Sequence, residues 1–195
     1  MVVVKEEVRA QIVRVSRKIF TRYGFRKTTM EEIAAATRKG KSSIYYYFKS
    51  KEDIFKAVVE KEAEELKAEL DRTLHADRTP IEKLKAYILF RLHHVRTVEN
   101  FYAALNEEYL SHMDFILEIR REFDRQELSV VREILNEGMR EHIFQINSAE
   151  IGAIAIATMM KGLEVPLFLS NAHKTDRGEL LDDLIRVLLY GIIKR

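Results

Sequence analysis

The sequence contains no cysteine and no tryptophan, and only seven glycines and two prolines among its 195 residues. Without cysteine the chain has no disulfide framework, no thiolate metal site and no cysteine nucleophile. So few glycines and prolines do not supply the turns of a many-stranded sandwich or barrel, nor a glycine-rich nucleotide site. The composition that remains, 47% hydrophobic and 33% charged, suits amphipathic helices. We therefore predict an all-α protein with one domain or two small ones.

Export and membrane signals are also scarce. Residues 1–5 are not a basic segment followed by a long apolar stretch and a cleavage site, so we predict no signal peptide and a cytoplasmic location. The apolar stretch 151–169 contains Lys161, Glu164 and Pro166, each of which is unfavourable in hydrocarbon. We expect a buried helix there rather than a membrane span.

The net charge of +2 conceals a strong asymmetry along the chain. Residues 1–60 carry 14 Lys and Arg against 7 Asp and Glu, whereas residues 61–195 carry 19 against 24. The segment 9–51 contains 12 basic residues and two acidic ones, Glu31 and Glu32. Such a segment attracts polyanions, although on charge alone a solvated helical face is about equally expected. The motif inside the segment has to distinguish the two.

The basic segment begins with a helix predicted over about residues 5–23. Apolar residues recur there at steps of three and four, and Gly24 stands where a C-terminal cap belongs. A second short helix is predicted to start at Thr28 or Thr29, because glutamates three residues further on complete capping boxes. The apolar stripe of the first helix comprises Val8, Ile12, Val15, Ile19 and Tyr23.

A third short helix is predicted from about Lys41 to Tyr47, after an interruption at residues 38–40, with Ile44 and Phe48 as its apolar pair. Two short helices separated by three or four residues, in the most basic part of a chain, are the pattern of a helix-turn-helix. The amino end of the second helix is slim enough to enter a DNA major groove. Its groups for base edges or phosphates are Lys41, Ser42 and Ser43.

Three successive tyrosines, Tyr45, Tyr46 and Tyr47, cover three directions of the third helix. At least one of them is expected to face outward, where a phenol can donate to a phosphate or stack on a sugar. One of them, Tyr45 or Tyr47, is expected to belong to the aromatic core instead.

A series of residues in fixed order along this region forms one extended motif. Its members are Ile19-Phe20, Tyr23-Gly24-Phe25, Thr28-Thr29, Ile33-Ala34, Lys41, Ile44 to Phe48, Ser50-Lys51-Glu52 and Ile54-Phe55. Together they resemble the amino-terminal domain of TetR-family transcriptional regulators, over about residues 8–60, and are far more specific than a bare helix-turn-helix. The resemblance implies a homodimeric DNA-binding protein, usually a repressor. It also implies a rear helical bundle that binds a small molecule and dimerises through its last two helices.

The resemblance also implies roles for single residues. Thr29 at the start of the second helix and Lys51 at the start of the fourth would hold phosphates, in keeping with the free N–H groups of helix starts. The family usually has glycine and a small apolar residue in the turn, where this chain has Arg38 and Lys39. Either the turn is shifted toward Gly40 or Arg38 accepts a left-handed conformation, and we hypothesise that Arg38 and Lys39 add phosphate contacts. The predicted DNA-binding set is Thr28, Thr29, Arg38, Lys39, Lys41, Ser42, Ser43, Tyr45, Tyr46, Tyr47 and Lys51.

The rest of the chain is predicted to be helical as well. Ser50 with Asp53 caps a long fourth helix, and the quartet Thr79-Pro80-Ile81-Glu82 starts a fifth. With the stretches that follow we predict about nine helices. The predicted domains are residues 1–50, a helix-turn-helix DNA-binding domain extending into a linking helix to about residue 68, and residues 51–195 for ligand binding and dimerisation.

Aromatic and sulfur-bearing side chains are plentiful in the rear bundle. Most are expected to be core residues, but a bundle of this size can also enclose an apolar small-molecule effector. No cofactor and no metal site is predicted, because Glu108 and His112 share a helical face but have no second such pair nearby. The predicted pocket residues are Tyr87, Phe90, His94, Phe101, Tyr102, Tyr109, Met159 and Phe168.

The last two predicted helices are apolar on more than one face, and small residues in the first of them allow close helix approach. A two-fold four-helix dimer interface is therefore predicted. Its predicted residues are Ile154, Thr158, Leu181, Leu184, Ile185 and Leu188.

These observations favour a dimeric transcription regulator that binds a double-stranded, pseudo-palindromic operator and is released by a small-molecule effector. The alternative is an effector-independent DNA-binding protein of the same fold, which acts structurally or through a protein partner. Repressor and activator are not separated by the sequence. A helical enzyme is the least expected, because no catalytic constellation accompanies the fold.

Overall fold

The computed structural model describes residues 2–74, 78–94, 100, 103, 114–164, 183 and 185–187. Seven helices lie within the longer of these ranges, and the separately described residues 100, 103, 183 and 185–187 are helical too. The predicted all-α class is confirmed. The helices are α1 Val2–Tyr23, α2 Met30–Thr37, α3 Lys41–Tyr47, α4 Lys51–Leu74, α5 Pro80–His94, α6 Asp114–Arg140 and α7 Ala149–Glu164.

The helix boundaries follow from the caps that the sequence predicts. Gly24 ends α1 with a φ of 77°, in the left-handed region that glycine adopts without a side-chain penalty. At the start of α4, Asp53 N–H donates to Ser50 Oγ at 3.1 Å, and Ser50 N–H donates to Asp53 Oδ2 at 3.2 Å. At the start of α5, Thr79 N–H donates to Glu82 Oε2 at 2.9 Å. The Ser50–Asp53 and Thr79–Glu82 pairs satisfy backbone N–H groups at the helix starts that would otherwise lack partners.

The chain forms two compact units. The front unit comprises residues 1–65 and 98–120, and the rear unit comprises residues 66–97 and 121–195. α4 contributes residues to both units, because it continues unbroken past residue 65. The predicted functional boundary between residues 50 and 51 stays a prediction.

The front unit is built on a cluster of three buried phenylalanines. The ring of Phe55 in α4 lies 5.2 Å from that of Phe20 in α1, edge to face, and 4.8 Å from that of Phe25. Aromatic contacts at these distances stabilise a core beyond the area that the rings bury. Ile33 of α2 and Ile44 of α3 are fully buried as well, so each of the two short helices contributes an apolar side chain to the core.

Within the front unit, Asn100 contacts both α1 and α4 through polar groups. Its Nδ2 donates to Thr21 Oγ1 of α1 at 2.8 Å and to Glu62 Oε1 of α4 at 2.9 Å. Arg17 Nε lies 2.9 Å from the same oxygen of Glu62, a residue with no exposed surface. The buried carboxylate is thus paired and hydrogen-bonded, as the cost of removing its charge from water requires. The sequence reasoning did not predict this network.

The hydrophobic core described in the rear unit is supplied mainly by α5, α6 and α7. After α6 the chain folds back so tightly that a Cβ at Gly138 would lie 2.2 Å from Phe144 Cδ2. His142 supports this reversal with a φ of 59°. The buried members of the core are Leu84, Tyr87, Ile88, Leu92, Val131, Ile134, Leu135, Phe144, Ala149, Ala153, Ile156, Met160 and Ile185.

α7 occupies most of the stretch considered above as a membrane candidate. Within the described ranges, no helix is both long and apolar enough to cross a bilayer. α7 buries Ala153, Ile156 and Met160, but it exposes Ile151 by 70% and Ile154 by 49%. The expectation of a buried helix is therefore wrong for one of its faces, because its apolar residues continue onto the side that the core does not cover.

Candidate nucleic-acid interface

The start of α2 is fixed by a capping box centred on Thr29. Glu32 N–H donates to Thr29 Oγ1 at 3.2 Å, and Thr29 N–H donates to Glu32 Oε2 at 2.8 Å. Thr29 is exposed, so its predicted contact with a phosphate stays open. Thr28 was predicted for the same surface, but it is buried and its hydroxyl donates to Gly24 O at 2.8 Å. Thr28 is therefore a residue that holds the loop before α2, because its hydroxyl satisfies a backbone carbonyl inside the fold.

The turn between α2 and α3 places its left-handed residue at Arg38. Arg38 has φ 56° and ψ 39°, and its N–H donates to Ala35 O at 3.1 Å. Gly40 is extended, with φ −66° and ψ 147°, and its carbonyl accepts the N–H of Ser43 at 2.9 Å. Of the two predicted alternatives, Arg38 carries the strain and Gly40 acts as the N-cap of α3. A left-handed conformation costs a side-chain-bearing residue about 1–2 kcal/mol.

Ile44 of α3 and Phe48, its C-cap, are buried in the core, whereas the other side chains of α3 are exposed or half-buried. Tyr45 is 43% exposed and Tyr46 is 68% exposed, whereas Tyr47 is half-buried and meets the Tyr46 ring edge to face at 5.0 Å. The expectation that Tyr45 or Tyr47 joins the core is therefore wrong, because the residues four apart already fill the inward face. On the outer side lie the predicted groove residues Lys41 and Ser42, which are exposed, and Ser43, which is half-buried.

Lys41, the first residue of α3, forms an ion pair with Glu31 of α2. The Lys41 ammonium lowers the pKa of the Glu31 carboxyl below its ordinary value of 4.5, and the carboxylate raises the pKa of Lys41 above 10.5. Lys41 Nζ also lies 5.9 Å from the centroid of the Tyr45 ring. The predicted DNA-contacting lysine therefore has an acidic neighbour that the sequence reasoning did not pair with it.

Lys51 makes contacts within the front unit that the sequence reasoning missed. Its Nζ donates to Phe25 O at 2.9 Å and to Thr28 O at 2.8 Å, and it lies 4.4 Å from the centroid of the Phe25 ring. Two of the three ammonium protons therefore hold the loop that leads into α2. The predicted phosphate contact of Lys51 stays a prediction, and the third proton is the one that could serve it.

α1 adds two basic side chains beside α3. Lys5 Nζ lies 5.0 Å from the centroid of the Tyr46 ring, and the Arg9 guanidinium lies 5.0 Å from that of Phe48. Both distances allow cation–π attraction. The other predicted cations, Arg38 and Lys39 in the turn, are exposed and half-buried respectively. α1, α3 and the turn thus bring positive charge to one part of the front unit.

Of the predicted pocket residues, Tyr87 and Phe90 are buried in the rear unit. The Tyr87 hydroxyl donates to Glu127, and Arg91 Nη1 lies 2.8 Å from the same Glu127 oxygen. Met159 lies on the exposed face of α7 instead, because Met160 occupies the core position. The pocket assignment of Met159 is therefore wrong. His94 is the last residue of α5 and its side chain is not described, and the residues outside the described ranges are Phe101, Tyr102, Tyr109 and Phe168.

The predicted dimer residues divide between two environments. Ile154 and Thr158 are exposed on one face of α7, together with Ile151. Ile185 is buried in the rear core, so its assignment to the interface is wrong: the core of its own chain already covers it. Leu181, Leu184 and Leu188 lie outside the described residues.

No group of three or more potential metal ligands occurs among the side chains that are described. The pair Glu108 and His112 lies outside the described ranges.

Comparison with known proteins connects this geometry to a family. Residues 12–58 match the family model of the bacterial regulatory proteins of the tetR family. YvaF of Bacillus subtilis (strain 168), an uncharacterized HTH-type transcriptional regulator, is 30% identical over 169 residues, which cover 84% of this chain and 85% of YvaF.

Two solved structures are similar over almost the whole chain. A transcriptional regulator from Cytophaga hutchinsonii ATCC 33406 is 28% identical with a TM-score of 0.77, and the match covers 94% of this chain and 97% of the other. AibR, solved in complex with isovaleryl coenzyme A and operator DNA, is 16% identical with a TM-score of 0.71, and the match covers 93% and 98% of the two chains. The likeness to AibR is one of fold alone.

Proposed function

The chain belongs to the TetR family of bacterial regulatory proteins, and on this basis we propose that it represses transcription from a pseudo-palindromic operator until a small-molecule effector releases it. It is a transcription regulator and not an enzyme. Binding to a bacterial operator entails the cytoplasmic location that the sequence predicts.

The observation that carries the proposal is the outer side of the helix-turn-helix. Ile44 and Phe48 fix α3 against the front core, so Lys41 and Ser42 stand exposed at its amino end. The amino-terminal residues of a recognition helix are those that reach base edges in the major groove. Around them lie the basic residues of α1 and of the turn, which suit the phosphate backbone.

The DNA-binding part is tested by selecting bound duplexes from a random pool and from genomic fragments with the purified full-length chain. We expect one inverted-repeat sequence to be enriched. The control is Ser42→Ala with Lys41→Gln, which removes two groove-facing groups and should lower affinity for the enriched site about tenfold or more. No enrichment by the wild-type chain would reject the proposal, and expression of the neighbouring gene after deletion would separate repressor from activator.

Support for an effector site comes from a polar cluster buried in the rear unit. Tyr87 and Arg91 both contact Oε1 of Glu127, and the buried side chains of Arg91 and Glu127 form an ion pair. Among the described residues, the second Glu127 oxygen is buried with no hydrogen-bond partner. A buried carboxylate oxygen of this kind needs a donor, which a hydroxyl, amide or amine of an effector would provide. AibR, of the same fold, was solved with isovaleryl coenzyme A, and that supports a small-molecule ligand here.

A screen for compounds that release the operator tests the effector part. For a compound that does so, Glu127→Gln should raise the concentration for half-release about tenfold, which corresponds to the loss of one polar contact. Glu133→Gln is the matched control, because Glu133 is an exposed carboxylate on the same helix. If no compound changes operator binding, the effector-independent alternative is favoured. If both variants respond like wild type, the effector does not bind at Glu127.

We also propose that the protein is a homodimer through the exposed face of α7. Ile151, Ile154 and Met159 lie uncovered there at helical spacing. A two-fold contact of this face would cover it and would present two α3 helices to two half-sites.

A further inference from the structure

Glu31 is an acidic residue placed in a strongly basic surface. The segment 9–51 has only two acids, and the other one, Glu32, is engaged by both its backbone and its side chain in the capping box with Thr29. Glu31 also lies in the first turn of α2, but it takes no part in that capping box. Its side chain is 62% exposed, and its carboxylate reaches across the turn to Lys41.

A carboxylate at this place lowers affinity for any DNA, because Lys41 begins the helix that faces the major groove and phosphates repel a nearby negative charge. Its effect on Lys41 is more selective. A lysine ammonium has three protons and no preferred direction, so a free Lys41 would contact phosphates of any sequence. Bound to Glu31, the ammonium is held at one position and keeps two protons for an acceptor such as guanine O6 or N7.

We propose that Glu31 is a specificity-determining residue, which restrains Lys41 from non-specific phosphate contacts so that the lysine contributes mainly at the operator. The inference rests on the proposed operator binding. In this role the ion pair between Glu31 of α2 and Lys41 of α3 increases the difference in affinity between the operator and other DNA sequences.

The test compares wild type with Glu31→Gln on the enriched operator and on a scrambled duplex of equal length, across a series of salt concentrations. Freed Lys41 should add about one phosphate contact on the scrambled duplex, so the slope of log affinity against log salt should steepen by about 0.9. The ratio of operator to scrambled affinity should fall about three- to tenfold.

Two further variants distinguish this role from a general charge effect. Glu64→Gln removes an exposed carboxylate 3.5 Å from Lys61 in α4, away from the turn, and should leave both the ratio and the slope unchanged. In a Lys41→Gln background, Glu31→Gln should have little further effect on the slope, because the lysine it restrains is gone.

Three results would overturn the inference. The first is an unchanged affinity ratio in Glu31→Gln, and the second is an equal change in Glu64→Gln. The third is a steeper slope that persists without Lys41. A wild-type chain that enriches no sequence would instead reject the proposed operator binding, so the two failures are distinguishable.

Discussion

At the scale of single residues, Arg38 shows how a functional surface and local stability compete. The left-handed position in the turn suits glycine, and glycine is the residue that the family usually has there. Arg38 keeps a positive charge beside α3 and accepts backbone strain. We infer that the strain is retained for a DNA contact.

We predict that Arg38→Gly raises the free energy of unfolding by about 1 kcal/mol, since relief of the left-handed strain outweighs the added freedom of the unfolded chain. The same variant should weaken binding to every DNA sequence and reduce the salt slope by about 1. Chemical denaturation and a salt titration measure the two effects.

Lys39→Gly is the matched control for Arg38→Gly. Its φ is not positive, so glycine relieves no strain there and should lower stability. An Arg38→Gly variant that is no more stable than wild type would show that the turn is not strained.

Single residues also mark the limit of what the sequence predicts. The caps at Gly24, Ser50 and Thr79 were predicted because each depends on neighbours a few positions away. The contacts of Lys51 with Phe25 and Thr28 join residues more than twenty positions apart. Such pairs depend on packing, which no local pattern encodes.

At the scale of elements, the loop before α2 depends on Lys51 of α4. We predict that Lys51→Met destabilises the front unit by about 1–3 kcal/mol, because two backbone carbonyls lose a charged donor while the hydrophobic stem stays. Lys49→Met is the control, since Lys49 is an exposed lysine just before the same helix.

The same variant distinguishes two roles of Lys51 in DNA binding. If Lys51 only positions the loop, Lys51→Met should lower operator affinity without changing the salt slope. A slope reduced by about 1 would show the predicted phosphate contact as well.

The capping box that starts α5 makes the stability of the rear unit depend on pH. Hydrogen bonds from the backbone N–H and the hydroxyl of Thr79 lower the pKa of Glu82 below its ordinary 4.5. A carboxyl with a lowered folded pKa stabilises the fold above 4.5, and this contribution is lost as the pH falls through the folded pKa.

We predict that Glu82→Gln is less stable than wild type near neutral pH and that the difference narrows as the pH falls below 4.5. Thr79→Ala should cost about 1 kcal/mol, the usual effect of losing an N-cap side chain. Denaturation curves at a series of pH values measure both, and a difference that does not depend on pH would contradict the assigned cap.

At the scale of the whole molecule, the exposed apolar face of α7 is a feature that the sequence predicted only in part. The apolar pattern of α7 predicted a dimer interface that includes Ile154, and Ile154 is exposed. The same reasoning assigned Ile185 of the following helical stretch to this interface, but Ile185 is buried in the core of its own chain. A helix that is apolar all round does not reveal which of its faces a core will cover. Only the packing of α5, α6 and α7 resolves that choice.

The exposed face of α7 leads to a prediction about assembly and DNA binding together. Ile154→Glu should convert a dimer into a monomer at micromolar concentration, because a charge in a two-fold contact meets its own copy across the axis. Operator affinity should fall about 100-fold or more, since the second half-site then binds as a separate event. Sedimentation and operator titration measure the two effects. Leu89→Glu is the control, because Leu89 is a leucine of α5 that is already 37% exposed. A variant that stays dimeric with Glu at residue 154 would place the interface elsewhere, and a monomeric variant with undiminished operator affinity would show that the two half-sites are not read together.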